Sequence, residues 1–130
     1  KPGAHQLLAF LEEMQIPRAV ATSSSGEKAR AILERVGLWQ YIPHLTGGDE
    51  VKAGKPAPDV YLDSAQKLGV DAPRCIAFED SETGIKAALA AGMRVIQVPD
   101  LIAAERAPAP PAYYHASSLV DGAALLGIDL

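Results

Sequence analysis

Three short polar stretches carry residue types suited to anion and metal chemistry: Thr22-Ser23-Ser24-Ser25, Lys55, and Glu79-Asp80-Ser81. A run of hydroxyls offers O–H donors, and where it opens a helix it adds free backbone N–H groups that favour an anion. Lysine supplies a point charge for a phosphate. Adjacent carboxylates with no basic residue beside them in sequence suit a hard cation such as Mg²⁺, which takes oxygen ligands and bridges to phosphate. Without a cation two carboxylates repel a phosphate; with one, the local field changes sign. Transfer of a phosphoryl group asks mainly for this kind of positioning and charge neutralisation. Each stretch also has a plainer reading. A hydroxyl run after a strand ordinarily caps a helix, a lone lysine is ordinarily solvated, and a Glu-Asp pair can sit at a helix start for the sake of its dipole.

The elements that must bring these stretches together alternate in type. Leu7, Leu8, Leu11 and Met14 recur at helical spacing, and residues 18–22 read as a short strand ending in the hydroxyl run. A second helix follows from Gly26, with Ala29, Ile32, Leu33 and Val36 on one face and Gly37 as its stop. Residues 44–46 suit a brief strand before the polar turn 47–50. Pro58 and Asp59 suit the first turn of a third helix, with Tyr61, Leu62, Ala65 and Leu68 as its buried stripe and Gly69 as its stop. Residues 74–78 form an apolar strand that runs into Glu79-Asp80-Ser81; an Ala-rich helix over 82–91 and a strand over 94–98 come next. A Pro/Ala connection over 107–111 leads to a last helix over 117–126, and Tyr113-Tyr114, strand or loop, carry no assigned chemistry.

Strands of about five residues alternating with longer helices are the mark of βαβ units on a parallel sheet. The expected fold is therefore α/β, a Rossmann-like three-layer parallel sheet. Such sheets bind ligands at the carboxyl ends of their strands, where Thr22, Lys55 and Glu79-Asp80 all fall or lie nearby.

Composition narrows the function. With 130 residues, 48% hydrophobic and 22% charged, the chain reads as one globular domain or less. A net charge of −4 with lysines and arginines scattered singly excludes a basic nucleic-acid footprint. No run of 18 apolar residues and no leader-like pattern occurs, so a membrane partner is not expected and the cytoplasm is the expected compartment. The single cysteine, Cys75, stands in an apolar run and reads as a small buried hydrophobe. His5, His44 and His115 share no ligand spacing and read as surface residues; Asp49-Glu50 reads as a solvated turn and Asp59 as a helix-start residue.

The stretches VATSSS (residues 20–25), GKPAPDVYL (54–62) and FEDSETGIKAALAAGM (78–93) resemble, in order and spacing, the second, third and fourth motifs of haloacid dehalogenase-like hydrolases. The similarity is nearest to the β-phosphoglucomutase and phosphoglycolate-phosphatase subfamily and covers roughly the first 100 residues. It implies that Thr22 and Lys55 are catalytic and contact phosphate, Lys55 holding both phosphate and nucleophile, with the backbone at Ser23 and Ser24 also approaching it. It further implies Mg²⁺ ligation by Asp80 with help from Glu79, and a supporting role for Ser81 in the metal loop. The implied activity is Mg²⁺-dependent hydrolysis of a small phosphate monoester, most simply a sugar phosphate, through an aspartyl-phosphate. Phosphoglucomutase-type transfer and a non-catalytic phosphate- or Mg²⁺-binding fragment are the alternatives.

One departure stands out. The family opens with a strand bearing an Asp-x-Asp pair, and the eight aspartates here (Asp49, Asp59, Asp63, Asp71, Asp80, Asp100, Asp121 and Asp129) form none. The chain is therefore expected to be a partial core over residues 1–130, without the nucleophile strand and the helical cap, inactive alone and able to partner the missing N-terminal segment. Two other phosphate-handling folds fit poorly. A receiver-type signalling domain places its acids before its Thr and Lys, whereas here they come last, and no Gly-x-Gly-x-x-Gly turn marks a dinucleotide site.

Overall fold

A computed structural model of the chain describes residues 3–98 and 113–130, so the Pro/Ala connection expected over 107–111 lies outside the described residues. The strands β1 (Val20–Ala21), β2 (Leu45–Thr46), β3 (Ile76–Glu79), β4 (Arg94–Gln97) and β5 (Tyr113–His115) alternate with α1 (Ala4–Glu13), α2 (Gly26–Arg35), α3 (Asp59–Leu68), α4 (Glu82–Ala90) and α5 (Leu119–Leu125). Strand pairing is parallel throughout: β1 with β2, and β3–β4–β5 in that order. Among the described residues no ladder joins β1 to β3.

Alternation along the strands builds two cores, one on each face of the β3–β4–β5 sheet. Ala77, Val95 and Tyr113 share a register row and pack with Val60, Tyr61 and Ala65 of α3 and Ile85, Ala87 and Ala88 of α4. Phe78 and Ile96, one residue on, point the opposite way and meet Leu7 and Leu11 of α1 and Leu119 and Ala123 of α5. A Cβ at Gly122 would come within 2.8 Å of the Phe78 ring and 3.2 Å of Ile96, so glycine lets α5 lie close on the sheet. The layers are helix, sheet, helix, as the alternation in sequence required.

Helix stops fall where glycine allows a left-handed residue. Gly37 (φ 76°) follows α2, and Gly69 (φ 68°) caps α3 while its N–H bonds back to Gln66. Three expectations about helix faces need correction. In α3 the buried residues are Val60, Tyr61, Ser64 and Ala65, whereas Leu62 is 47% exposed; the buried arc is rotated by about one residue from the expected stripe. In α2 Ile32 and Val36 are exposed and only Ala29 is buried, because this helix packs mainly on the turns at 39–41 and 48–50 rather than on a broad sheet face. Met14 lies just past α1, in solvent.

Removing side-chain volume from the sheet and from α2 should therefore have unequal effects. Ile96→Ala, at a position 2% exposed, is expected to lower the unfolding free energy by about 2–5 kcal/mol in urea titration. Ile32→Ser on α2 should stay within about 0.5 kcal/mol of the parent. Equal losses at both positions would contradict the two-core packing.

Candidate functional site

The three polar stretches converge on one cavity of about 280 Å³, lined by Thr22, Lys55, Glu79 and Asp80 with Ala21, Phe78, Val98 and Leu119. It opens where β1 and β3 end, at their carboxyl termini. The order of the chain explains the meeting. Parallel strands put each strand-to-helix turn on the same rim, and Lys55, in the segment before α3, reaches both β1 and the end of β3.

Lys55 is the piece that spans the rim. Its side chain is only 9% exposed, and its ammonium donates to Glu79 Oε1 at 2.5 Å and to the Ala21 carbonyl at 3.4 Å. One contact is at the end of β3 and the other in β1, so the lysine bridges two groups of strands that no ladder joins among the described residues. An ammonium has three N–H donors, which leaves one for the cavity. The nitrogen also lies 5.1 Å from the centre of the Tyr61 ring. The solvated reading of this lysine is overturned by its burial.

Glu79 is 8% exposed and is held from several sides. In register with Gln97, it points to the same sheet face as Ala77, toward α3 and α4. The Tyr61 hydroxyl donates to Oε1, and Gly84 at the start of α4 leaves the space in which the carboxylate lies; a Cβ there would collide with both of its oxygens. Among the described residues Oε2 has the Ser81 hydroxyl at 3.5 Å, too far for a firm bond. Ser81 is chiefly the N-cap of α4, its Oγ accepting from the Gly84 N–H at 3.1 Å. Tyr61, read in sequence as packing alone, is therefore also a donor to the site. Burial, and then the Glu79 charge, push its phenol far above the ordinary range, so it remains a donor at any working pH.

The opposite rim is the turn after β1. Thr22 Oγ1 accepts from the Ser24 N–H at 3.1 Å, which leaves the threonine O–H free to donate to an anion and commits the Ser24 N–H within the turn. The helix cap is Ser25, whose Oγ accepts from Lys28 N at 3.3 Å. The cap thus falls on Ser25 and leaves the Thr22 hydroxyl out of it.

Behind this turn lies a polar network that the sequence did not disclose. Thr46, fully buried, donates its hydroxyl to Asp63 Oδ2 at 2.8 Å. Lys67 reaches Glu50 Oε1 at 2.9 Å, Asp63 Oδ2 at 3.2 Å, Thr46 Oγ1 at 3.1 Å and the Leu45 carbonyl at 2.8 Å. Asp49-Glu50 is therefore a bonded element rather than a merely solvated turn. The Gly47 N–H and then Lys67 hold the Glu50 carboxyl below its ordinary value of 4.5; the Thr46 hydroxyl, then Lys67, lower Asp63 below 3.8. Burial works against the charge of Lys67, but its hydrogen bonds with Glu50 and Asp63 outweigh that and raise its value.

Elsewhere, Cys75 lies half-buried against the core, its thiol raised by burial and so poorly suited to act as a nucleophile. Exposed His5 bonds the Tyr41 hydroxyl at 3.2 Å, and Asp59 starts α3 and accepts from Ala53 N at 3.3 Å. Among the described residues no helix is long and apolar enough to cross a membrane.

Two outcomes follow. Tyr61→Phe keeps the ring but removes a donor to a buried carboxylate, and should cost about 1–3 kcal/mol in urea titration. The lowered carboxyls stabilise the fold fully above their unfolded values and lose that contribution as pH falls through the folded ones. The stability gap between the parent and a Glu50→Gln, Asp63→Asn variant should therefore be widest near neutrality and close progressively as pH falls below about 4.5; a gap indifferent to acid would be the contrary result.

Comparison with known proteins bears on the family. A family profile for haloacid dehalogenase-like hydrolases matches residues 1–92. Among curated proteins, the chain is 45% identical over 82 residues to a fructose-1-phosphate phosphatase of Escherichia coli, covering 63% of this chain and 44% of that protein. It is 43% identical over 97 residues to hexitol phosphatase A of the same organism, covering 75% and 44%. Among solved structures, CbbY from Rhodobacter sphaeroides with xylulose-(1,5)bisphosphate superposes with a TM-score of 0.85 at 32% identity, over 100% of this chain and 59% of that one. A β-phosphoglucomutase from Clostridium difficile gives 0.67 at 29% identity, over 76% and 44%. The chain thus spans less than half the length of these two curated relatives. Shared motifs, a shared sheet and a profile running through all three polar stretches leave one conclusion: the chain belongs to the haloacid dehalogenase-like hydrolases.

Proposed function

We propose that the protein to which these residues belong is a cytoplasmic Mg²⁺-dependent phosphohydrolase acting on a small phosphate monoester, a sugar phosphate in the first instance. The observation that carries the proposal is the convergence of Thr22, Lys55, Glu79 and Asp80 on one cavity at the ends of parallel strands. The sugar-phosphate reading draws on relatives named as fructose-1-phosphate and hexitol phosphatases.

In this reading the Thr22 hydroxyl and the Ser23 backbone N–H donate to phosphate oxygens, with the Ser24 backbone alongside and its own N–H kept by Thr22 Oγ1, and the remaining N–H of Lys55 neutralises charge on the same group. The donor set also fits a hard cation. Asp80 and Glu79 offer carboxylate oxygens, Glu79 Oε2 has a long hydroxyl contact, and the space left at Gly84 keeps that carboxylate in place. Among the described residues no cluster of three or more His, Cys, Asp or Glu forms, so Asp80 and Glu79 would supply part of a shell that water and phosphate oxygens complete. Bound there, Mg²⁺ would draw off charge from the phosphoryl oxygens. Ser81 holds the start of α4 and so supports the loop between. In this reading the acceptor carboxylate that would form the aspartyl-phosphate comes from outside these residues, since none of their aspartates forms an Asp-x-Asp pair. Water attack at phosphorus of that acyl phosphate breaks its bond to the aspartyl oxygen, releasing phosphate and restoring the carboxylate; attack by a sugar hydroxyl would give phosphoglucomutase-type transfer, a second reading favoured by the superposition on a β-phosphoglucomutase.

Calorimetry on the 130-residue chain provides the test. Inorganic phosphate is expected to bind in the presence of Mg²⁺, with Thr22→Val weakening phosphate and Asp80→Asn weakening Mg²⁺, each by about tenfold. Fructose 1-phosphate should not be turned over by the chain alone. Sustained release of phosphate from it would place the acceptor inside these residues and overturn that part of the proposal, and a chain that takes up neither ligand would remove the rest.

A further inference from the structure

The turn that would meet the phosphate is anchored by a single pair of short strands. β1 and β2 are two residues each, and the pairing gains two further bonds, Val20 N–H to the His44 carbonyl and Thr22 N–H to the Thr46 carbonyl, each at 3.0 Å. Beyond that point the chain from Ser23 to Gly26 is held by the loop at 47–50. Gly48 N–H donates to the Ser24 carbonyl at 2.8 Å, and Gly26 N–H donates to Asp49 Oδ1 at 3.0 Å. The two loops touch with no slack. A Cβ on Gly47 would strike the Gly26 backbone, and one on Gly48 would strike the backbone of Ser23.

The 47–50 loop is itself gripped from α3. Glu50 Oε2 accepts from the Gly47 N–H at 2.5 Å, while its Oε1 pairs with Lys67, which also reaches the end of β2 through the Leu45 carbonyl and the Thr46 hydroxyl. A single side chain thus touches the strand that precedes the loop, the carboxylate that closes it, and the helix behind. None of Lys67, Glu50 and Asp63 lines the cavity.

We infer that Lys67 is a positioning residue for anion binding: through Glu50 and Thr46 it sets the 47–50 loop, and through that loop the Thr22-to-Gly26 turn. The inference rests on the reading of that turn as the phosphate contact. Isolated surface ion pairs stabilise little. This one differs in that two of its four acceptors belong to β2, so what it fixes is the place of a backbone rather than the stability of the whole fold.

The experiment follows the amide exchange of Gly26 and Gly48 by NMR in the ligand-free chain, alongside calorimetric titration with inorganic phosphate and, separately, Mg²⁺. Lys67→Met is expected to speed exchange at both glycines by about tenfold and to weaken phosphate by a similar factor, with exchange in β3 and β4 and the affinity for Mg²⁺ unchanged. Glu50→Gln should act in the same direction, and Lys67→Arg should restore most of both effects. Unchanged exchange at Gly26 and Gly48 overturns the inference, as does faster exchange throughout β3 and β4, which would make Lys67 a general stabiliser. A parent chain that binds no phosphate removes the reading of the site, and the exchange comparison still decides whether Lys67 holds the turn.

Discussion

The pairing of Lys55 with Glu79 is the constraint around which the rest is arranged. Bringing an ammonium and a carboxylate out of water costs several kcal/mol per ion, and attraction between them offsets this only with good geometry and further hydrogen bonds. The structure supplies those bonds. The Tyr61 hydroxyl and the Ala21 carbonyl complete the pair, and a glycine at position 84 leaves the carboxylate room. In return, one side chain links two groups of strands that share no ladder among the described residues. The pair is less a source of stability than a way of specifying where two rims stand.

Those rims are built by different means. The Glu79 side rests on four-residue strands with a full parallel register and apolar packing on both faces. The Thr22 side rests on a two-residue ladder, too short to define a loop, and a set of side-chain bonds among Thr46, Glu50, Asp63 and Lys67 takes over where backbone pairing ends. Where regular structure is thin, polar side chains set the backbone, and the groups that do so stand away from the chemistry. Both rims then lead into helices whose first turns are closed by their own serines, Ser25 and Ser81.

Much of this was readable in the sequence, and the parts that were not share a cause. The α/β alternation, the parallel strands and the meeting of the three polar stretches all follow from local patterns, namely short apolar runs, glycine stops and residues at strand ends. Contacts between residues distant in the chain leave no such trace. Tyr61 reads as one more apolar position because its ring does pack in the core; only the fold reveals that its hydroxyl meets a carboxylate eighteen residues on. Glu50 reads as part of a solvated turn and Lys67 draws no reading at all, since nothing local marks a pair seventeen residues apart. Ile32 and Val36 mislead in the opposite sense: their spacing promises a buried face, but α2 packs on turns and leaves them exposed. Local pattern states what a residue can do, and topology states what it meets.

The helix α3 has ten residues, with Lys55 just before its start and Lys67 in its last turn. It therefore works as a measuring rod, setting the distance between the lysine at one rim and the lysine behind the other in whole turns of helix. Inserting or deleting one residue within it would swing everything beyond by roughly 100° and separate the two lysines from their partners together. Exposed positions such as Leu62 and Gln66 can vary in composition, but its length and the places of Asp63 and Lys67 cannot. Relatives that diverge in the loops on either side should still carry the same count of residues between these two positions.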